Sequence, residues 1–148
     1  MKTVAQNRKA YHNYEVIEKF EAGIALYGAE VKAVRSGKVN LSDSYAQCSA
    51  GEIFLNHLHI SPYDHVSYNV PDPYRKRKLL LAKREILYLT SEVERKQLTI
   101  IPLSLYFKNQ WVKVEIGLCR GRKKWDKRQK IAENESKRNV QRMLKRFH

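Results

Sequence analysis

The chain has 148 residues, 43% of them hydrophobic, enough to bury a core without disulfide or metal staples. Against 15 Asp and Glu stand 29 Lys and Arg, a formal net charge of +14. A surplus of this size attracts polyanions, either nucleic acid or an anionic membrane surface. No apolar run is long enough to span a bilayer, and the polar start, residues 1–10, is not a secretory signal. Cys48 and Cys119 stand far apart and in no CxxC pair, as expected of thiols in a reducing cytosol. A cytoplasmic protein is expected.

In chain order, Asn7 to Tyr14 reads as a short helix. Tyr14 to Leu26 reads as a strand pair bent at Ala22-Gly23, and Glu30 to Arg35 as a strand, with Ser36-Gly37-Lys38 as the turn that follows. Ser44 to Cys48 and Ile53 to Ile60 flank Ser49-Ala50-Gly51-Glu52, which predicts a hairpin. Ser61 to Tyr74 holds three of the four prolines and must be a long loop, a kind that is usually functional or disordered. Leu79 to Lys96 is the clearest helix of the body, with Ile86, Leu89 and Val93 at helical spacing. Leu98 to Phe107 and Trp111 to Leu118 predict a second hairpin, where Pro102 implies an edge or a bulge. About six short strands with few helices suggest a mainly β protein, a small antiparallel barrel like an OB-fold.

Residues 120–148 carry 12 of the Lys and Arg and only 3 of the acids. The division expected is therefore a barrel over 1–120 and a basic tail over 121–148. Asp126 can cap a helix from Lys127 to Phe147, with Gln129 three residues on and an apolar stripe at Val140, Met143, Leu144 and Phe147. The first half of that segment has little apolar face to bury, so it should be disordered when free and helical when docked.

Two stretches invite a polyanion. Arg75-Lys76-Arg77-Lys78, with Lys83 and Arg84, places six cations within ten residues. They read as phosphate contacts or, more plainly, as a solvated charge run. In Gly121-Arg122-Lys123-Lys124-Trp125-Asp126-Lys127-Arg128, cations surround an indole on which a base can stack. Trp125 could instead anchor a hinge, although it lacks apolar neighbours.

Signals for catalysis or a cofactor are missing. Ser36-Gly37-Lys38 lacks the second glycine of a phosphate loop and is followed by Val39 rather than Ser or Thr. His57 and His59 fall on one strand face, yet no carboxylate or cysteine completes a ligand set. The acids are scattered, with no paired-carboxylate site and no local nucleophile signature. Neither an enzyme nor a cofactor is expected.

Blocks along nearly the whole chain resemble the small protein B (SsrA-binding protein) family. They include Asn7-Arg-Lys-Ala10, Phe20-Glu-Ala-Gly-Ile24, Gly28 to Arg35, Asp43-Ser-Tyr45, Arg77-Lys-Leu-Leu-Leu81, Ile101-Pro-Leu103, Lys113-Val-Glu-Ile116 and Asp126-Lys-Arg128. There are departures. Ala29 and Ala33 stand where larger or hydroxylated residues are common, Arg122 stands for a Lys, and Cys119 for a small residue. Asn109-Gln110 replaces an Asn-Gly turn, so this hairpin should turn differently.

The resemblance implies an RNA-binding, non-enzymatic protein whose OB-like barrel binds the tRNA-like domain of transfer-messenger RNA (tmRNA). It implies delivery of alanyl-tmRNA, with elongation factor Tu, to a stalled 70S ribosome. On this reading Asn7, Arg8, Lys9, Glu30, Lys32, Arg35, Lys38, Asn40 and Tyr45 are assigned to the tmRNA-facing surface. The Glu30 carboxylate there would accept from a base amino group or, more plainly, pair with Lys32 or Arg35. Arg75, Lys76, Arg77 and Lys78 are assigned to contact tmRNA or ribosomal RNA. The tail would enter the empty mRNA channel. There Gly121, Arg122, Lys123, Lys124, Trp125, Asp126, Lys127 and Arg128 would lie near the decoding centre, with Lys137, Arg138 and Arg142 further along. A barrel-and-tail ribosomal protein would share this composition, so that reading stays open beside it.

Overall fold

The computed structural model describes residues 2–62 and 71–121. Expectations for residues 63–70 and 122–148, including the tail helix and Trp125 before it, lie outside the described residues.

Nine strands and three helices are described: β1 (Lys2–Gln6), α1 (Arg8–Asn13), β2 (Tyr14–Ile24), α2 (Gly28–Arg35), β3 (Val39–Asn40), β4 (Tyr45–Ser49), β5 (Glu52–Asn56), β6 (His59–Ile60), β7 (Arg77–Leu80), α3 (Lys83–Lys96), β8 (Thr99–Lys108) and β9 (Trp111–Gly121). The protein is mainly β, as its sequence predicts, but with more strands than six. Seven strands form one antiparallel sheet in the order β1-β8-β4-β5-β7-β2-β9, and a further pairing joins β9 back to β8. Six strands thus close a ring, with β1 alongside β8. Closure removes the unpaired edges of an open sheet.

Alternation along β8 and β9 builds two apolar layers. Ile100, Leu105, Phe107, Val112, Val114, Ile116 and Leu118 belong to the main core, which α2 and α3 join through Ala33, Val34 and Leu89. Ile101, Leu103 and Cys119 belong to a second, smaller cluster with Ala10 of α1. Side chains of period two supply both layers from one hairpin. Gly117 makes room for the second cluster, because a β-carbon there would lie 2.9 Å from Leu103 Cδ1 and 3.1 Å from Cys119 Sγ.

Several local expectations hold. The Asn7 carboxamide oxygen accepts from the Ala10 N–H at 3.2 Å and caps α1. The β4–β5 hairpin turns through Ala50 and Gly51, both with positive φ (50° and 75°). The β8–β9 register shifts between Pro102 and Ser104, so the proline sits at a bulge rather than on an open edge. At the tip of that hairpin Asn109 takes the positive φ, 57°, and Gln110 is spared it.

Four expectations are corrected. Glu30 to Arg35 lies in helix α2, because Glu30, Ala33 and Val34 bury one helical stripe that includes a carboxylate. A buried acid breaks the apolar pattern by which such a helix is read. Tyr14 to Ile24 is one strand rather than a bent pair. Its Gly23 pairs with Lys113 of β9 and Leu80 of β7, where the chain passes from one neighbour to the other. Helix α3 starts at Lys83 and not at Leu79, since Arg77–Leu80 alternates buried and open as a strand between β5 and β2. Finally, β5 stops at Asn56. His57 adopts φ 61°, and His59 belongs to β6, paired with β3, so the two histidines do not share a strand face.

Candidate nucleic-acid interface

The basic and polar residues singled out by sequence fall into three groupings. The first surrounds a cleft of about 250 Å³ where α1 meets the segment before β4; Lys9, Asn13, Asp43 and Tyr45 help to line it. Arg8 and Lys9 are exposed on α1. Tyr45 is 37% exposed, and its ring centroid is 5.5 Å from that of His57. Asn40 is exposed nearby in sequence, and its Oδ1 accepts from the Ser42 N–H at 2.8 Å, which shapes the loop.

Asn7 serves this cleft from beneath. Its side-chain amide donates to Pro102 O at 2.9 Å and Leu41 O at 3.4 Å, and the residue is 5% exposed. Its polar atoms are used inside the protein, where Asn7 forms a joint between α1, β8 and the Leu41 segment while also lining the cleft.

A second cleft of about 450 Å³ includes Lys2, Arg35 and Phe107, with the Arg35 guanidinium 5.1 Å above the Phe107 ring. Lys32 and Lys38 are exposed on and just after α2, and both have interactions within the protein.

The third grouping is built on a buried carboxylate. Glu30 Oε1 accepts from Arg75 Nη2 at 2.6 Å and from the Tyr27 N–H at 2.9 Å; Oε2 accepts from Arg77 Nε at 2.7 Å. Burial alone would raise the Glu30 pKa, but these hydrogen bonds outweigh it and hold the carboxyl below its usual range. Burial also lowers the Arg77 pKa, an effect that Glu30 opposes.

Glu30 and Arg77 therefore do not present their charges outward; Glu30 is paired within the protein, as its plainer reading expects, with Arg75 and Arg77 among its partners. Their charges satisfy each other within the fold, and they position Arg75, whose side chain is 26% exposed. Lys76 is exposed with its Nζ 4.5 Å from the Phe54 ring, and Lys78 pairs with Glu52 at 2.8 Å. Sequence reading missed the aromatic side of this grouping. Tyr27 lies under the Arg75 guanidinium at 4.4 Å, and Tyr74 is 4.8 Å from His59. The proximity of Tyr74 to Arg75 was visible in the sequence, whereas Tyr27 reaches it only through folding.

Gly121, the first of the predicted tail residues, ends β9; the rest lie outside the described residues. Among the described residues no helix is long and apolar enough to cross a membrane.

Comparison with known proteins places this geometry. A family model described as SmpB protein matches residues 4–146. An SsrA-binding protein of Syntrophobacter fumaroxidans is 52% identical over 143 residues, covering 97% of this chain and 89% of the relative. One from Clostridium perfringens is 54% identical over 144 residues, covering 97% and 92%. A chain of a solved structure described as "tmRNA-SmpB: a journey to the center of the bacterial ribosome" superposes with a TM-score of 0.68 at 50% identity, covering 80% of this chain and 84% of that one. With a family model spanning nearly its whole length and relatives at half identity, this chain belongs to the SmpB family of SsrA-binding proteins.

Proposed function

We propose that this chain is a non-enzymatic RNA-binding protein of trans-translation, working in the cytoplasm. Its barrel, residues 1–120, binds the tRNA-like domain of tmRNA. It accompanies alanyl-tmRNA with elongation factor Tu to a stalled 70S ribosome, and residues 121–148 test whether the mRNA channel is empty. The observation that carries this reading is the extent of the family match, which takes in both the barrel and the basic tail. The names of the relatives and of the structural neighbour support the RNA and the ribosome as partners.

The surface chemistry agrees. Arg8, Lys9, Lys32, Arg35 and Lys76 are exposed cations set on helices or strand ends of a closed barrel. Phosphate contacts of this kind position an RNA and make binding salt-sensitive. Asn40 and Tyr45 stand beside them with groups able to meet a base edge or face. Asn7, Glu30 and Arg77 hold that surface in shape. In the tail, Arg122 to Lys124, Lys127, Arg128, Lys137, Arg138 and Arg142 supply charge for a channel walled by rRNA phosphates, and Trp125 supplies a stacking face. An mRNA already in the channel would exclude the tail, since both need the same space.

The test is a titration of the full chain at near-physiological salt. It compares the tRNA-like domain of tmRNA with an unrelated structured RNA of equal length. Strong preference for the tRNA-like domain is the expected result. Equal binding to both would mean that net charge alone governs affinity, and a general ribosomal-RNA role would replace this one.

A further inference from the structure

Tyr27 occupies a position whose usual occupants do something else. It is the N-cap of α2, where Ser, Thr, Asp or Asn would accept a backbone hydrogen bond. Its side chain makes no such bond, and the ring is 58% exposed rather than packed in the core. What touches it is the Arg75 guanidinium, 4.4 Å from the ring centroid. That guanidinium is fixed along its edges: Nη2 donates to Glu30 Oε1 at 2.6 Å and to Ala25 O at 3.2 Å, and Nη1 to Lys76 O at 3.4 Å. With a clamped cation over its face, the ring is still more than half exposed.

From this geometry we propose that Tyr27 and Arg75 form a stacking platform for an unpaired RNA base. Planar aromatic and guanidinium groups are the surfaces on which splayed-out bases rest. The exposed Lys76, next in the chain, adds attraction for the phosphate backbone. Because Glu30 holds Arg75 in place before any ligand arrives, little side-chain freedom is lost on binding. This platform deepens the RNA-binding reading above and rests on it.

The experiment titrates full-length wild type, Tyr27→Phe, Tyr27→Leu and Tyr27→Ala with two RNAs, the tRNA-like domain and a short unstructured oligoadenylate, at two salt concentrations. Tyr27→Phe should bind within about twofold of wild type, while Tyr27→Leu and Tyr27→Ala should weaken about 5- to 150-fold, the range expected of one lost stacked base. The slope of affinity against salt should not change, since no phosphate contact is removed. Tyr27→Leu keeps apolar cover over Arg75, so a loss in Tyr27→Ala alone would reveal a packing role and overturn the platform. Wild-type affinity in Tyr27→Leu and Tyr27→Ala for both RNAs would overturn it too, as would a Tyr27→Phe variant as weak as Tyr27→Ala. Failure of the wild type to prefer the tRNA-like domain would instead count against the proposed function, and the oligoadenylate series would still decide the platform.

Discussion

The Glu30 carboxylate and the Arg77 guanidinium form an ion pair of 2.7 Å, with side-chain exposures of 3% and 0%. The pair ties α2 to β7. The same guanidinium donates from Nη1 to Leu58 O at 2.7 Å and from Nη2 to Pro73 O at 3.1 Å. Pro73 O also accepts from the Ile60 N–H at 3.0 Å. One arginine therefore fixes the helix that carries Lys32 and Arg35, the end of the β5–β6 segment, and the return of the proline-rich loop. Two charges are expensive to bury, and the pair stands because nearly every donor and lone pair is used.

Breaking this pair should cost more than the net worth of forming it. Replacement Arg77→Met leaves Glu30 charged and buried with Arg75 as its remaining cation, and should lower unfolding free energy by about 3 kcal/mol or more. Urea denaturation followed by circular dichroism measures it. The double variant with Glu30→Gln should recover part of the loss; a double variant as unstable as the sum of both single ones would show that the two residues do not act as a pair.

Acid should act on the same site. The folded-state pKa of Glu30 is below its usual 4.5, so between the folded and unfolded values the unfolded chain binds more protons. The stability this group contributes is present above the unfolded-state pKa and is lost as pH falls through the folded value. Unfolding free energies of wild type and Glu30→Gln should thus differ by a constant amount near neutrality and converge on acidification. A difference that stayed constant down to strongly acidic pH would be inconsistent with an ionised Glu30 in the fold.

The two thiols should separate cleanly. Burial pushes the Cys119 thiol up to about 11, only partly offset by a backbone hydrogen bond at Ile101, while Cys48 is half-buried. The thiolate is the reactive form. A disulfide-exchange reagent at neutral pH should titrate Cys48 in the native protein and both cysteines in denaturant. Rapid native labelling of Cys119 would mean that the layer under α1 opens far more readily than its packing implies.

Deletion of the residues after Gly121 should separate two steps of the proposed function. The shortened chain should keep its preference for the tRNA-like domain, since the barrel surface is intact, and should fail to support peptide tagging in a reconstituted translation system. Its binding should also depend less steeply on salt, because many cations leave with the tail. Tagging that survived the deletion would remove the channel-sensing role.

Much of this protein was legible in its sequence where the signal is local. Asn7 before a short polar helix, Ala50-Gly51 between two strands, and the Ile-, Val-, Tyr- and Trp-rich runs Leu98 to Phe107 and Trp111 to Leu118 each declare themselves within a few residues. The charge balance and the family blocks were equally plain, and with them the mainly β fold. Helix α2 was not, because one position of its buried stripe is a glutamate that pattern reading assigns to the surface.

What only the tertiary structure decided is which charges face outward. Glu30 meets Arg75 and Arg77 across 45 and 47 residues of chain, and Tyr27 reaches Arg75 over slightly more. Nothing within a short window distinguishes Arg77, fully buried, from Lys76, exposed beside it. Sequence alone determined that the chain is a basic, antiparallel β protein of this family. The closed ring decided that Glu30 and Arg77 shape the surface from within while their neighbours meet solvent, because burial of a charge depends on a partner that only folding brings near.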